Sequence, residues 1–148
     1  MKRRPTQKAA KAKAWKAFSI FIRTRDCLLT AGEPDNGSCY TCNFRYSFKS
    51  LQAGHFVPNR SGENLWDERG VHAQCYRCNG PRKGNWPAYL KRMLAEYGQT
   101  VVDELMAKAH VPTRLKAVDY LDMAELYKQR TAELLKDYER GKVAKGGE

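Results

Sequence analysis

Four cysteines fall in two Cys-x-x-Cys pairs, Cys39-Tyr40-Thr41-Cys42 and Cys75-Tyr76-Arg77-Cys78, with His55 in the segment between them. Each pair offers two thiolates on one tight turn, half of a tetrahedral zinc site. A site with four sulfur ligands is closed, so its zinc ion staples the fold and activates no water. The pairs are separated by 32 residues, against roughly 15–20 in a plain zinc ribbon. Chemistry therefore needs a second centre within or beside that long segment. His55 and Asn79, the residue after the last cysteine, are the candidates. A neutral imidazole is a competent general base for a water nucleophile. A side-chain amide oxygen is a hard ligand suited to Mg²⁺, which also binds phosphate oxygens. A lone histidine on a strand is more often structural, and the residues alone leave both roles open.

Composition narrows the setting. The chain has 148 residues, 27 Lys and Arg against 16 Asp and Glu, and a net charge of +11. This is one domain's worth of chain. No apolar run reaches the roughly 18 residues of a membrane span. The basic start, Met1-Lys2-Arg3-Arg4-Pro5, lacks the apolar core of a secretory signal. A cytosolic location is expected. There thiols stay reduced and paired cysteines read as metal ligands. The fifth cysteine, Cys27, reads as a small apolar packing residue. Residues 1–26 carry nine Lys and Arg and one acid, a basic arm suited to a polyanion, with nucleic acid the commonest.

The elements that must position these residues can be read from the pattern. Residues 6–28 place Trp15, Phe18 and Ile22 on one face of a basic amphipathic helix. Residues 30–38 are turn formers and predict a loop. Phe44, Tyr46 and Phe48 alternate with polar residues, and Ala53 to Val57 continues as a strand. Leu65 to His72 is expected to return as its partner, and a short helix to open at Cys75. Further helices are expected over Ala88 to Tyr97, closed by Gly98, and from Thr100 as N-cap to Ala109. A long helix over residues 114–140 carries the stripe Leu121, Ala124, Thr131, Leu134 and Tyr138, ends at Gly141, and leaves a disordered tail from Lys142 to Glu148. These helices pack on the core or on a second subunit. Met93, Met106 and Met123 read as core.

The strings Ala53-Gly54-His55-Phe56, Asp67 to Asn79 and Gly84-Asn85 resemble the HNH (ββα-metal) nucleases. Within them the chain closely resembles the phage NinG/Rap recombination endonucleases over about residues 18–106. The resemblance implies an α+β, mostly helical protein: a zinc-stapled ββα-metal, treble-clef-like core with flanking helices. The nuclease domain would span residues 18–110. A basic arm and helix start would occupy 1–17, and the C-terminal helix with its tail 111–148. His55 takes the general-base position, Asn79 the ligand position for catalytic Mg²⁺ or Mn²⁺, and Cys39, Cys42, Cys75 and Cys78 the structural zinc positions. The implied activity is metal-dependent cleavage of branched recombination intermediates, Holliday junctions and D-loops.

Two positions depart from the pattern. Many HNH enzymes place an acidic metal ligand just before the base histidine, where this chain has Gly54. Asp67 is the nearest carboxylate for a second ligand, though it reads equally as a turn acid. Gly70 stands where the bracing Asn is expected; Asn64 lies too far upstream, and His72 is a substitute brace for His55. Arg60, Arg69, Arg77, Arg82 and Lys83, with the arm from Lys2 to Lys16, are candidates to grip DNA phosphates. Trp66 and Trp86 fit a core role better than stacking on bases. The rival readings are a non-catalytic zinc module that binds nucleic acid, and an HNH nuclease of nicking or homing type. A homodimer, with the long helix as its interface, would suit symmetric cutting of a four-way junction.

Overall fold

The Thr6 hydroxyl accepts from the Ala9 amide at 3.1 Å and opens α1 (Gln7–Ala31), satisfying one of the helix's orphan donors. Gly32, in the left-handed region at φ 71°, closes it. The computed structural model describes residues 3–58 and 61–146, with side chains to Gly141. Helix α1 runs three residues further than its pattern predicts. Its buried residues include Ala10, Ala14, Ala17, Phe18, Phe21 and Ile22, at the three- and four-residue spacing of one helix face.

The predicted loop over 30–38 contains a short strand. There β1 (Asn36–Ser38) pairs antiparallel with β2 (Arg45–Ser47), with Gly37 opposite Tyr46. The first cysteine pair sits in the turn between them. A second antiparallel pair joins β3 (Leu51–His55) to β4 (Val71–Cys75), with Leu51 opposite Cys75 and His55 opposite Val71. The returning strand therefore starts at Val71, not Leu65. Residues 63–70 form two 3₁₀ turns instead, because polar side chains serve the backbone there. The Asp67 carboxylate accepts from the Arg69 amide at 3.1 Å, a local bond that competes with strand pairing.

Four helices follow: α2 (Tyr76–Asn79), α3 (Trp86–Tyr97), α4 (Gln99–Lys108) and α5 (Ala117–Gly146). Helix α3 starts two residues early because Pro87 fits a first turn. The cap of α4 is Gly98, and Thr100 lies inside the helix. Gly141 does not end α5; an interior glycine costs only about 1 kcal/mol, and the helix continues through most of the expected tail. Lys2, Gly147 and Glu148 lie outside the described residues.

Helix α1 is the centre of the packing. Ala10 and Ala14 let α5 approach through Tyr120. Ala17, Phe18, Phe21 and Ile22 join Ala53 and Val71 of the hairpin to Ala124 and Tyr127 of α5. Burial of each of these large side chains contributes about 1.5–3 kcal/mol. The buried face of α5 is thus Tyr120, Ala124, Tyr127 and Thr131, rotated slightly from the expected stripe and used within the chain. A second cluster holds Tyr40, Phe56, Tyr89, Met93, Val102 and Leu105 beneath α3 and α4. Met93 is core as expected and Met123 partly so, but Met106 is 45% exposed. Trp66 packs among Trp15, Phe18 and Tyr120, whereas Trp86 is 40% exposed and stacks on Phe56. Helix α1 crosses the expected boundary between residues 17 and 18. Among the described residues, no helix is long and apolar enough to cross a membrane.

One buried polar stitch fixes α1 to β4. The Asp26 carboxylate accepts from the Ala73 amide at 2.7 Å and from Arg25 Nε at 2.8 Å. Arg25 also donates to the carbonyls of Glu68 and Val71, at 3.0 and 2.8 Å. Burial alone would raise the Asp26 pKa, but hydrogen bonding from His72 and the Arg25 charge outweigh it and hold the carboxyl below its ordinary 3.8. A carboxyl depressed in the folded state adds stability above its ordinary pKa and loses it as pH falls through the folded value. Asp26→Ala should cost about 3–5 kcal/mol in urea unfolding at neutral pH. Asp26→Asn should flatten the loss of stability of the natural protein below about pH 4.

Candidate active site and metal centre

The strand pairing brings the two cysteine pairs together. The Sγ atoms of Cys39, Cys42, Cys75 and Cys78 all lie within 4.8 Å of one another, three of the residues being buried. The first turn is closed by the Cys39 amide on the Phe44 carbonyl and the Asn43 amide on the Cys39 carbonyl, each at 2.9 Å. Asn43 takes the left-handed conformation at φ 66° that this turn requires. In the second, Cys75 caps α2, its sulfur accepting from the Cys78 amide at 3.5 Å. The cluster can hold a metal ion such as zinc. Burial pushes Cys39 up, yet hydrogen bonds from the Cys42 backbone and the Thr41 hydroxyl bring it down to about 6. Burial and the neighbouring sulfurs push Cys42 to about 12. A divalent cation removes this mutual repulsion. Cys27 is fully buried outside the cluster, its thiol pushed up to about 11 by burial.

The β3–β4 hairpin presents His55, and α2 presents Asn79, to one cleft of about 660 Å³. Its far wall is α1, which contributes Lys8, Lys11, Trp15 and Arg23. His55 Nε2 lies 3.0 Å from the Leu65 carbonyl. A carbonyl only accepts, so Nε2 carries the proton and Nδ1 the basic lone pair in the neutral ring. The Trp15 indole stacks on the imidazole at 5.0 Å and 22° between planes. Asn79, last in α2, donates from Nδ2 to Gln52 Oε1 at 2.8 Å. Its Oδ1 accepts no hydrogen bond among the described residues.

Gly54 is fixed by its surroundings. A Cβ there would stand 1.9 Å from Gln74 Oε1 and 3.0 Å from Asn79 Oδ1, so the volume an acid would need is filled by Gln74. At Gly70 a Cβ would press on both methyl groups of Leu105 at 3.2 Å. Asn64, 3% exposed, donates from Nδ2 to the Val57 carbonyl at 2.9 Å and ties the segment that follows β3. Asn64 is therefore no bystander; the 3₁₀ turns shorten its path to the hairpin loop. His72 does not brace His55. It pairs with Gly54 in the register and lies flat on Tyr40 at 3.8 Å, with Nε2 on the Arg69 carbonyl and Nδ1 toward Asp26. Asp67 does not line the cleft. Burial would raise its pKa, but Arg69 and Lys108, both 2.8 Å from Oδ2, drive it far below the carboxylate range.

The basic candidates divide. Arg69 is engaged by Asp67 and Glu104. Arg77, Arg82 and Lys83 are exposed on α2 and the following loop and make no ion pair among the described residues. Arg60 lies outside the described residues. Lys8, Lys11 and Arg23 face the cleft itself, with Arg23 stacked over Phe48 at 4.4 Å. Trp15, Gln52 and Gln74 are additions the pattern did not single out. Trp15 was read only as a core position, and strand alternation does not distinguish a glutamine aimed at a neighbouring glycine.

Fold and site together define a mixed, helix-rich protein with a four-cysteine metal-binding cluster beside a basic cleft. The chain belongs to the NinG family: the family model described as "Bacteriophage Lambda NinG protein" matches residues 2–139. It is 33% identical over 93 residues to "Protein ninG" of Escherichia phage 933W, covering 62% of this chain and 42% of that one. The ninG protein of Escherichia phage lambda is 32% identical over the same length, covering 62% and 41%. That of Salmonella phage P22 is likewise 32% identical, with the same coverage. The matched segment thus spans about two fifths of the curated relatives. No solved structure matches the chain.

The cluster's stoichiometry and acid sensitivity are testable. Purified protein should carry one zinc per chain by elemental analysis, and Cys78→Ser should lose it. A chelator should destabilise the fold by on the order of 5 kcal/mol or more. Zinc loss should quicken as pH falls, because protons compete for the thiolates.

Proposed function

We propose that this chain is a metal-dependent, structure-directed DNA endonuclease of the HNH, ββα-metal class, cutting branched recombination intermediates such as Holliday junctions and D-loops. The observation that carries this reading is the cleft that holds His55, oriented through Nε2, together with Asn79 under a wall of Lys8, Lys11 and Arg23. The order of turn, hairpin, turn and short helix around four cysteines supports reading the core as zinc-stapled and treble-clef-like.

Each residue has a role its geometry supports. His55 Nδ1 takes the proton from a water that attacks the scissile phosphorus in line with the leaving 3′ oxygen. Trp15 and the Leu65 carbonyl hold the imidazole plane, so the base arrives in one tautomer and orientation. Lys8, Lys11 and Arg23 bind the phosphates flanking the scissile bond, with Arg77, Arg82 and Lys83 extending the contact along the backbone. Asn79 Oδ1, an amide oxygen accepting no bond among the described residues, fits Mg²⁺ or Mn²⁺, hard cations that prefer oxygen. When bound, that cation stabilises charge on the phosphate and the leaving oxygen. Zinc on the four sulfurs has no open position and takes no part in the chemistry.

A Mg²⁺-dependent cleavage assay on linear duplex, flapped, D-loop and four-way DNA tests the proposal. The wild type should cut branched substrates and leave plain duplex largely intact. His55→Ala should lower the rate by roughly 10²–10⁴-fold while zinc content and junction binding persist. Full cleavage by His55→Ala would refute the role of the histidine. Binding without any metal-stimulated cleavage would make the chain a non-catalytic zinc module.

A further inference from the structure

Gln74 stands beneath the hairpin with its side chain entirely buried. Its Nε2 donates to Thr41 Oγ1 at 3.0 Å and to the Gly84 carbonyl at 2.9 Å. Because a carbonyl only accepts, the second bond fixes which end of the amide is nitrogen. The oxygen, Oε1, is thereby turned toward Gly54, where no donor of the described residues reaches it. A buried amide oxygen left without a partner costs about 1–3 kcal/mol, so its orientation calls for a physical reason.

Asn79 supplies that reason. Its Nδ2 is committed to Gln52, which leaves Oδ1 facing the same space. The point where a Gly54 Cβ would stand is 1.9 Å from Gln74 Oε1 and 3.0 Å from Asn79 Oδ1. Two amide oxygens border the Gly54 Cα–H there, and neither receives an N–H or O–H from the described residues, an arrangement that a cation would relieve. Nearby carboxylates do not serve, since Asp67 is occupied by Arg69 and Lys108.

We infer that Gln74 Oε1 is the second protein oxygen of the divalent-cation site, acting with Asn79 Oδ1 and occupying in space the place of the acid that Gly54 lacks. The inference rests on the endonuclease reading, because it completes the cation site which that reading places at Asn79. It also accounts for Gly54, since any side chain there would expel the Gln74 oxygen. Both ligands are neutral, so they set position more than charge, and a substrate phosphate supplies the negative charge.

Mn²⁺ serves as the probe, titrated into zinc-loaded, DNA-free protein and read by paramagnetic broadening of the Asn79 side-chain amide signal. In the wild type the broadening should saturate. Gln74→Leu should weaken the apparent affinity about tenfold or more. Gln74→Glu should keep or tighten it, since a carboxylate oxygen ligates the ion although it cannot donate to the Gly84 carbonyl. Gly54→Ala should weaken it as Gln74→Leu does, without removing a ligand atom. Zinc content and melting temperature report folding, and Gly54→Ala with Gln74→Glu carry the test if Gln74→Leu fails to fold. Equal loss in the Leu and Glu variants would make Gln74 merely structural and overturn the inference. So would unchanged affinity in all three, an outcome that would leave the endonuclease reading standing. No saturable broadening in the wild type would overturn the inference, and the cleavage assay on branched DNA would still decide the endonuclease reading.

Discussion

Everything in this structure is measured from the point where four sulfurs meet. Their approach to within 4.8 Å closes a 32-residue segment whose ends would otherwise be free. Closure of a loop of this length costs a few kcal/mol of chain entropy, and the like-charged thiolates add repulsion. Burial and the neighbouring sulfurs hold the Cys42 thiol above its ordinary range, while hydrogen bonds hold Cys39 below it. With the sulfurs together, Cys75 ends β4 opposite Leu51, and His55 follows four residues further along β3. Asn79 follows Cys78 directly. The distance from the cysteine cluster to His55 and Asn79 is thus set by two short, regular stretches of backbone.

Helix α1 supplies the second constraint, with three faces that have three tasks. Alanines and aromatics bury against α5 and the hairpin. Arg25 and Asp26 reach β4 from the C-terminal half. Lys8, Lys11, Trp15 and Arg23 turn to the cleft. The positive charge of this helix is therefore not only a solvated face, since part of it lines the space beside His55. A phosphate chain entering the cleft would meet charge from α1 on one side and Asn79 on the other.

The sequence made the site more legible than its support. Cys-x-x-Cys spacing and the His55–Asn79 pair depend on local pattern, and the fold brings both together. What stayed hidden depends on contacts between distant segments. Asn64 looked too remote because the bracing Asn is expected at position 70; the 3₁₀ turns that bring Asn64 to Val57 come from local side-chain bonds that alternation does not register. Asp67 read as a second metal ligand or equally as a turn acid, because nothing in its neighbourhood announced Lys108, 41 residues away. His72 and His55 face opposite sides of one hairpin, and only the register, His72 against Gly54, reveals it. The Asp26 stitch was invisible for the same reason, its partners being in β4.

The charge economy of the core bears on what kind of cation site this fold can hold. Asp26, Asp67 and Glu68, the carboxylates nearest the hairpin, are each committed to arginine or lysine. Freeing any of them would leave a cation or backbone donor unpaired in partly buried surroundings, at a cost of several kcal/mol. The oxygens left for a metal are amide oxygens, which bring dipoles and no net charge. A dication on such ligands keeps most of its charge and is held weakly by protein alone. Phosphate oxygens from a strand lying against Lys8, Lys11 and Arg23 would supply what is missing. On the proposed reading, cation and DNA then bind with positive coupling, each raising the other's affinity by the same factor. A carboxylate at residue 54 would weaken that coupling by satisfying the cation in advance, so a glycine there ties the cation's retention to the presence of a substrate.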